Sequence, residues 1–383
     1  NFIQDLLSNY SDYQNKNILH RRFKHSELVT ELNKTGSVFQ KKIVGHSFEN
    51  REIYSLQFGR GKNTILVWSQ MHGNEPTATL AILDILNFLK ANDNFDNIRK
   101  TISENCKIVF IPMLNPDGAE KFIRRNAQSI DLNRDALNLS APESQILKNC
   151  REELNADFGF NLHDQELYYS AGKPEHDSSI AFLAPSYNFE KEINEVRKNS
   201  MKIIAELNAT LQNIVPMQVA KYSDSYMPNA FGDSFQRWGT STILIESGYL
   251  KNDKERQFIR KLNFISLLQS FYSIATQNFK NFTIEQYNSI PFNTKDAIFD
   301  YLIKNAVIVR NSKKYKADIG ISRDKSDRES FTDYQTEYLI WDIGDLSNFS
   351  GHKIIDLSNS EINDDNQKIT RFSNADFLIS KYF

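Results

Sequence analysis

The sequence has 383 residues, of which 40% are hydrophobic and 25% are charged, and its formal net charge is -2. This composition excludes a disordered, collagen-like or coiled-coil chain, and the near-zero charge argues against nucleic acid or an anionic membrane as a partner. Since a single hydrophobic core stops growing at about 250 to 300 residues, we expect one large domain and a smaller one.

The two cysteines, Cys106 and Cys150, allow at most one disulfide, so a disulfide framework cannot stabilise a chain of this length. No apolar run approaches the roughly 18 to 20 residues that a membrane-spanning helix needs, and residues 1–9 lack the basic and apolar regions of a signal peptide. We therefore expect a protein without a membrane partner that resides in the cytoplasm. The sequence leaves the oligomeric state open.

The predicted elements from residue 38 to residue 279 alternate between strands and helices, as in an α/β domain. In chain order they are an antiparallel hairpin at 38–58, a strand at 64–70, a helix at 77–90, a strand at 107–113, a helix at 142–154, a strand at 157–162, a helix at 189–213, a strand at 242–245 and a helix at 253–279. These segments predict an α/β fold with a mixed, mostly parallel central sheet flanked by helices.

The pattern changes after about residue 282. The segment 294–304 is predicted to be a helix, and short β-rich runs follow it at 306–309, 315–321, 338–343 and 352–356. We therefore predict a large domain at 1–282 and a small C-terminal α+β or mostly β domain at 283–383, and the sequence does not indicate the role of the second domain.

Four predicted strands of the large domain lead into polar motifs or end at polar residues. These are, in chain order, His72-Gly-Asn-Glu75, Asn115-Pro-Asp-Gly118, His163 and Glu246. Because ligands of open α/β sheets bind beyond the carboxyl ends of the strands, we expect these side chains to share one site.

His72, Glu75 and His163 are candidates for a metal site. His72 and Glu75 are three residues apart in a loop before a predicted helix, so an imidazole and a carboxylate can bind the same cation. His163 ends a strand and is the best third ligand among the seven histidines. Two histidines and one glutamate form the ligand set of a catalytic zinc with an open position for water. The alternative for each histidine is a hydrogen-bonded structural role, and Asp164 is a candidate to orient a ligand.

Glu246 follows an apolar strand, where burying a carboxylate costs free energy. We interpret it as a general base for a metal-activated water, and the alternative is an ion pair at the end of the strand. Arg124, Arg125 and Arg134 concentrate guanidinium groups in one loop region, and a guanidinium can bind a carboxylate through two parallel hydrogen bonds.

Together these motifs resemble the zinc carboxypeptidase family, the metallocarboxypeptidases, over about residues 25 to 280. The residues that carry the resemblance are His72-Gly-Asn-Glu75, Asn115-Pro-Asp-Gly118, Arg124, Asp131-Leu-Asn-Arg134, His163 and Glu246, with Val44-Gly-His-Ser47 and Arg51 in the predicted hairpin. The resemblance implies a catalytic domain that binds one zinc ion, and a peptide substrate with a free carboxylate.

The resemblance also implies a role for each residue. The metal ligands would be His72, Glu75 and His163. Arg124 would polarise the scissile carbonyl, with Arg125 as the alternative because adjacent arginines leave the alignment uncertain by one position. Asn133 and Arg134 would bind the terminal carboxylate of the substrate, and Glu246 would act as general base and then as general acid.

Two further features of the family have several candidates here. The tyrosine that family members often carry on a mobile loop would be Tyr222 or Tyr226. The specificity pocket would draw on residues 227–239, whose candidate side chains are Phe231, Asp233, Phe235 and Arg237.

We therefore predict a zinc-dependent hydrolase that cleaves the C-terminal peptide bond of peptides. The first alternative is an N-acyl amino acid amidohydrolase of the succinylglutamate desuccinylase and aspartoacylase branch, which the His-Gly-Asn-Glu and Asp-Leu-Asn-Arg motifs also resemble. The second alternative is a catalytically inactive module that binds a peptide or a glycan in the same cleft.

Overall fold

The computed structural model of the protein describes residues 2–165, 169–295, 298–323 and 337–383. Its helices are α1 (Phe2–Tyr13), α2 (His25–Leu32), α3 (Thr77–Lys90), α4 (Asp96–Asn105), α5 (Pro116–Lys121), α6 (Pro142–Leu154), α7 (Glu195–Leu211), α8 (Phe231–Arg237), α9 (Gln257–Thr276), α10 (Ile284–Asn288) and α11 (Asp376–Tyr382). Its strands are β1 (Gln40–His46), β2 (Glu52–Phe58), β3 (Asn63–Ser69), β4 (Cys106–Ile111), β5 (Phe158–Asp164), β6 (Tyr169–Ala171), β7 (Ile180–Leu183), β8 (Val219–Lys221), β9 (Ser241–Ser247), β10 (Asn293–Lys295), β11 (Ile298–Arg310), β12 (Lys313–Arg323), β13 (Tyr338–Gly344), β14 (Ser350–Asp356) and β15 (Glu361–Asn363).

The chain divides into two compact units. Within the described residues, the larger unit contains 2–165 and 179–292, and the smaller unit contains 169–178 and 293–383. None of the helices in the described ranges combines the length and the apolar character that crossing a bilayer requires.

An eight-stranded sheet forms the centre of the larger unit, with the strand order β1-β2-β4-β3-β5-β9-β7-β8. Strands β4, β3, β5 and β9 are parallel to one another. The hairpin β1–β2 pairs antiparallel with β4 at one side, and β7 pairs antiparallel with β9 at the other. The predicted mixed, mostly parallel sheet with a leading antiparallel hairpin is therefore confirmed.

Both faces of this sheet are covered by hydrophobic cores. On β3, Ile65 and Val67 belong to the core that includes residues of α3 and α9, whereas Leu66 and Trp68 belong to the core that includes residues of α6 and α8. A strand that is buried on both faces has no polar alternation, which explains the continuous apolar runs in the sequence. Helices α3 and α6 have the predicted bounds, and Cys106 and Cys150 are free thiols.

The smaller unit is built on a sheet with the order β13-β12-β11-β14, and β15 pairs with β11 beyond β14. Its apolar core includes Ile308, Ile319 and Ile340 from the sheet and Leu378 from α11. Strand β6, in the segment that follows β5 in the chain, pairs antiparallel with β10.

The predicted helix at 294–304 is wrong, because most of this segment lies in strand β11. The segment satisfies helical spacing, since Ile298 and Leu302 are four residues apart, as are Phe299 and Ile303. In the structure β11 pairs antiparallel with β12 and parallel with β14, so it is a central strand. An apolar run on a central strand cannot be distinguished from a buried helix by its periodicity. The β-rich runs predicted after it are strands.

Candidate metal centre and active site

The loop between β3 and α3 carries the first two metal-ligand candidates. The Glu75 backbone N–H donates to the His72 carbonyl oxygen at 3.1 Å, which closes a tight turn immediately before α3. A Cβ atom on Gly73 would lie 2.0 Å from the backbone carbon of Gly118, so this loop packs backbone against backbone on the first turn of α5. Glycine at this position lets the loop and the helix meet beside the ends of strands β3 and β4.

The third candidate, His163, is brought to these two residues by the end of β5. His72 Nδ1 lies 2.8 Å from Glu75 Oε1, and His163 Nδ1 lies 2.8 Å from Glu75 Oε2. The two Nδ1 atoms are 3.2 Å apart. All three side chains are buried, and their ligand atoms lie within 4.8 Å of one another. Neutral imidazoles and a carboxylate that converge in this way are suited to a divalent cation such as zinc.

Burial and charge act in opposite directions on the three side chains. Burial opposes ionisation of Glu75, but His72 and His163 outweigh it and hold the pKa of Glu75 well below its ordinary value. Burial disfavours protonation of His72, yet Glu75 and Asp131 outweigh it and raise the pKa of His72. For His163 burial dominates and lowers the pKa, despite the nearby Glu75 carboxylate. The structure therefore favours an ionised Glu75 and a neutral His163, the states in which each can bind a metal.

Asp131 contacts one of the metal-ligand candidates, and this contact was not predicted from the sequence. Its Oδ1 lies 3.0 Å from His72 Nε2, and the same oxygen accepts a hydrogen bond from the Asn133 backbone N–H at 2.9 Å. Burial opposes ionisation of Asp131, but His72 and Arg124 lower its pKa below the ordinary value. A carboxylate behind a ligating imidazole fixes the ring and its tautomer. The available signal was its place at the start of Asp131-Leu-Asn-Arg134.

Glu246 lies on β9, beside the third ligand. In the parallel pairing of β5 with β9, His163 is opposite Glu246, and adjacent strands are about 4.8 Å apart. Burial, together with the negative charges of Glu75 and Asp164, raises the pKa of Glu246 well above its ordinary value. Its Oε2 atom is buried and has no hydrogen-bond partner among the described residues. The carboxyl group therefore lies at the same carboxyl ends of the strands as the metal-ligand candidates, with one oxygen that makes no hydrogen bond to a described residue.

The two adjacent arginines have different positions. Arg124 Nη1 lies 3.0 Å from Glu75 Oε1, and Arg124 Nε lies 3.1 Å from Asp131 Oδ2, while 41% of its side chain remains exposed. Arg125 is exposed, and its Nη1 donates to the Ser129 carbonyl oxygen at 2.9 Å. The structure thus brings Arg124 to the ligand cluster and points the guanidinium of Arg125 to a neighbouring turn.

Asn133 and Arg134 form part of the short 3₁₀ turn at Leu132–Arg134, which Asp131 caps. The Asn133 side-chain oxygen accepts a hydrogen bond from the Phe231 backbone N–H at 3.0 Å, so this turn is attached to the start of α8. Arg134 is exposed and donates to the Asn133 carbonyl oxygen at 2.6 Å. Its guanidinium remains accessible to a ligand from solvent.

The two candidate tyrosines lie in the loop between β8 and α8. The Tyr222 hydroxyl donates to the Gln165 side-chain oxygen at 3.1 Å, two residues after His163. The ring of Tyr226 packs edge-on against Phe189 with centroids 5.0 Å apart, and 73% of Phe189 is exposed. Tyr222 is therefore connected to the chain that follows the third ligand candidate, whereas the half-buried Tyr226 packs against an exposed phenylalanine.

The four candidates for the specificity pocket also differ. Phe231 and Phe235 are fully buried in the core that contains Trp68. Arg237 is exposed. Asp233 is buried, its Oδ1 accepts a hydrogen bond from the Met227 backbone N–H at 2.9 Å, and burial raises its pKa to about 6.

Comparisons with known proteins identify the family of this chain. A family model described as "Zinc carboxypeptidase" matches residues 26–238, more than half of the chain. Carboxypeptidase SOL1 of Arabidopsis thaliana is 30% identical over 142 residues, which are 31% of this chain and 28% of that protein. Carboxypeptidase D of Homo sapiens is 26% identical over 152 residues, which are 35% of this chain and 11% of that protein.

Solved structures show the same fold. The metallo-carboxypeptidase from Pseudomonas aeruginosa in complex with (2-guanidinoethylmercapto)succinic acid superimposes with a TM-score of 0.52 at 16% identity, over 64% of this chain and 68% of that one. Carboxypeptidase A from Helicoverpa armigera superimposes with a TM-score of 0.51 at 15% identity, over 73% of this chain and 80% of that one. With the family match over more than half of its length, this chain belongs to the zinc carboxypeptidase family.

Proposed function

We propose that the protein is a zinc-dependent exopeptidase that hydrolyses the C-terminal peptide bond of peptides. The observation that supports this proposal is the convergence of His72, Glu75 and His163, whose ring nitrogens and carboxylate oxygens lie 2.8 to 3.2 Å apart. They meet at the carboxyl ends of the strands, where Glu246 is paired with His163. This arrangement combines three metal ligands with a carboxyl group that can handle a proton.

The ligand cluster would hold one zinc ion. His72 and His163 would bind through the Nδ1 atoms that face each other, and Glu75 would bind through its carboxylate. A bound zinc ion would lower the pKa of a coordinated water to about 7 and polarise the scissile carbonyl. Asp131 would keep the His72 ring in the tautomer that presents Nδ1 as the ligand.

Glu246 would act as the general base. It would take a proton from the attacking water and later donate it to the leaving amine of the substrate. Its Oε2 atom has no hydrogen bond to a described residue that would have to be broken first. Its pairing with His163 places it on the strand next to that of the third ligand.

Arg124, Asn133 and Arg134 would bind the substrate. Arg124 is next to Glu75 and partly exposed, so it can stabilise the negative charge that develops on the carbonyl oxygen. The exposed guanidinium of Arg134, with Asn133, would bind the free carboxylate of the peptide. Fixing that carboxylate would hold the last peptide bond beside the metal ligands, and this positioning contributes to the rate.

The experiment that tests this function compares three substrate classes. We expect the zinc-loaded protein to release amino acids from a peptide library with free C-termini, and to cleave the same peptides at least about 100-fold more slowly when they are amidated. Hydrolysis restricted to N-acyl amino acids would contradict the proposal and support the amidohydrolase alternative. Binding of peptides without hydrolysis of any class would support the inactive module.

A further inference from the structure

Residues 2–25 precede the region that the family model matches, and they are attached to the larger unit at several points. The Tyr10 hydroxyl donates to Asp84 Oδ2, on α3, at 2.8 Å. Arg260, on α9, donates to the Ile18 carbonyl oxygen at 2.9 Å. This N-terminal segment is therefore fixed against the two helices, and its course past them brings Arg21 to the candidate active site.

Arg21 binds the residue that follows the third metal-ligand candidate. Arg21 Nη2 donates to Asp164 Oδ2 at 2.9 Å, and the two side chains are only 18% and 3% exposed. The Arg21 backbone N–H donates to Glu255 Oε2 at 2.9 Å, and its guanidinium lies 5.9 Å from the centre of the Phe122 ring. Asp164 adjoins His163 in the chain. The N-terminal segment therefore contacts the residue next to one of the metal-ligand candidates.

Asp164 links the chain segments that carry two of the ligands. Its Oδ2 atom also accepts a hydrogen bond from the Thr77 hydroxyl at 2.6 Å, and Thr77 lies two residues after Glu75. The Asp164 backbone N–H donates to Glu75 Oε2 at 3.3 Å. The Asp164 carboxylate therefore ties the first turn of α3 to the end of β5, and its position affects both Glu75 and His163.

Arg256 places a second guanidinium near Asp164, but this guanidinium binds mainly to the backbone. Arg256 Nη1 lies 3.5 Å from Asp164 Oδ2, but the Arg256 guanidinium donates to the carbonyl oxygens of Ser247 and Gln165 at 2.7 and 2.9 Å. Arg256 thus holds the backbone after β5 against the backbone at the end of β9. The short, charge-assisted hydrogen bond to Asp164 comes from Arg21, and such bonds are stronger than neutral ones.

We propose that Arg21 is a positioning residue of the metal centre, which orients Asp164 and, through Asp164, the ligands Glu75 and His163. The expected effect of Arg21 on kcat rests on the proposed function. The inference gives a part of the chain outside the matched family region a role in the site. Without Arg21, the buried Asp164 carboxylate would lose its closest cation, which lies at 2.9 Å compared with 3.5 Å for Arg256, so it would move.

The test compares Arg21→Gln and Arg21→Lys with Arg99→Gln in the full chain. Arg99 is the matched control because it is a buried arginine on α4 that bridges to Asp93 at 2.8 Å. We expect Arg21→Gln to weaken zinc affinity by about 10- to 100-fold in a chelator competition, and to change the visible spectrum of the cobalt-substituted protein. We also expect kcat to fall about tenfold with little change in KM, and Arg21→Lys to recover part of each loss. Arg99→Gln should lower only the unfolding temperature.

Wild-type zinc affinity and cobalt spectrum in a folded Arg21→Gln variant would overturn the proposal, because Arg21 would then be merely structural, as Arg99 is. If Arg21→Gln does not fold, Arg21→Lys decides, since a lysine keeps the charge but lacks the guanidinium geometry. Unchanged metal affinity and spectrum in that variant would also overturn it. A wild-type protein that cleaves no peptide would contradict the proposed function alone, because the affinity and the spectrum do not depend on turnover.

Discussion

Glu246 is the only ionisable residue of strand β9, whose sequence is otherwise built of apolar and hydroxyl side chains. Replacing Glu246 with Gln keeps the size of the side chain and removes its ability to take a proton. We expect Glu246→Gln to lower kcat by about 10³-fold, within the range of general acid–base catalysis. Bound zinc should remain at one ion per chain, because Glu246 is not among the residues that converge as ligands.

The measurement combines steady-state kinetics on a peptide with a free C-terminus and metal analysis of the same sample. Glu104→Gln is the control for a change of charge, because Glu104 lies on α4 with 60% of its side chain exposed. Turnover in Glu246→Gln equal to that of the control would show that the base is another group.

Asp131 gives a second prediction, because it contacts a ligand without belonging to the cluster. Asp131→Asn keeps an oxygen near His72 Nε2, at present 3.0 Å away, but removes the negative charge that favours a proton on that nitrogen. We expect zinc affinity to fall by about 10- to 100-fold with the fold intact. Competition with a chromophoric chelator measures the affinity, and a wild-type value would mean that Asp131 does not tune His72.

The residues of the site could be predicted from the sequence to different degrees. His72, Glu75 and His163 could be grouped because each follows a strand of one sheet, and the structure brings their ligand atoms together. Arg21 could not be found in this way, because its contact with Asp164 joins residues 143 positions apart. This contact depends on the path of the N-terminal segment across the folded domain, and no local sequence pattern predicts that path.

At the scale of elements, the loop before α3 depends on the start of α5. The chain after β3 and the chain after β4 are held together where the Leu114 backbone N–H donates to the Ser69 carbonyl oxygen at 3.1 Å and the Asn115 N–H donates to that of Gln70 at 3.0 Å. Gly73 then lies directly on the backbone of Gly118. Two of the residues predicted to be metal ligands lie in the loop before α3, and the first turn of α5 supports this loop.

We therefore expect Gly73→Ala to damage the metal centre by separating the loop before α3 from α5. The new Cβ atom would lie 2.0 Å from the Gly118 carbon and 2.3 Å from the Ala119 nitrogen, and neither backbone atom can rotate away. Overpacking of this kind costs about 1 to 3 kcal/mol, and the shift would move His72 and Glu75. Urea unfolding and zinc content measure the two effects.

Gly232→Ala is the matched control for this variant, because its added Cβ atom would have no neighbour closer than 3.3 Å. Since Gly232 lies in helix α8, alanine there should leave stability equal or slightly higher. A Gly73→Ala variant as stable and as rich in zinc as Gly232→Ala would contradict the close packing of the loop before α3 on α5.

The elements themselves were predictable where hydrophobic periodicity and length agree. The helices 77–90 and 142–154 have clear apolar faces and a proline at or beside their start, and α3 and α6 have these bounds. The segment 294–304 was wrongly predicted to be a helix. Its strand β11 pairs with a strand on each side, and its apolar residues do not alternate with polar ones. Strand pairing of this kind is decided by tertiary contacts rather than by local sequence.

At the scale of the whole molecule, the chain passes between the two compact units more than once. A single boundary after residue 282 was predicted, whereas the smaller unit combines residues 293–383 with a segment that follows β5. Strand β6 of that segment has only three residues, Tyr169–Ala171, and it pairs with the equally short β10. Strands this short carry little periodicity, so such an insertion could not be recognised from the sequence.

A half-buried histidine holds this segment within the smaller unit. His352, on β14, has its Nε2 atom 2.9 Å from Asp177 Oδ1 and its Nδ1 atom 3.8 Å from Asp300 Oδ1. Arg323 also binds Asp300, at 2.8 Å. Burial disfavours the charged imidazolium, but Asp177 and Asp300 outweigh burial and raise the pKa of His352 to about 9. The ion pair therefore depends on a proton that the folded protein retains at neutral pH.

This proton makes the stability of the protein depend on pH. Because the pKa of His352 is higher in the folded chain than the ordinary 6.5 of an unfolded chain, its contribution is complete below about pH 6.5 and is lost as the pH rises through about 9. The contribution is on the order of 3 kcal/mol at most. We expect the difference in unfolding free energy between wild type and His352→Gln, measured by urea unfolding, to be largest near pH 6 and to shrink towards pH 9.5. The same comparison for His46→Gln, which changes an exposed histidine on β1, controls for a general effect of losing an imidazole. A difference for His352→Gln that stays constant over this range would show that His352 is not held in its charged form by the two aspartates.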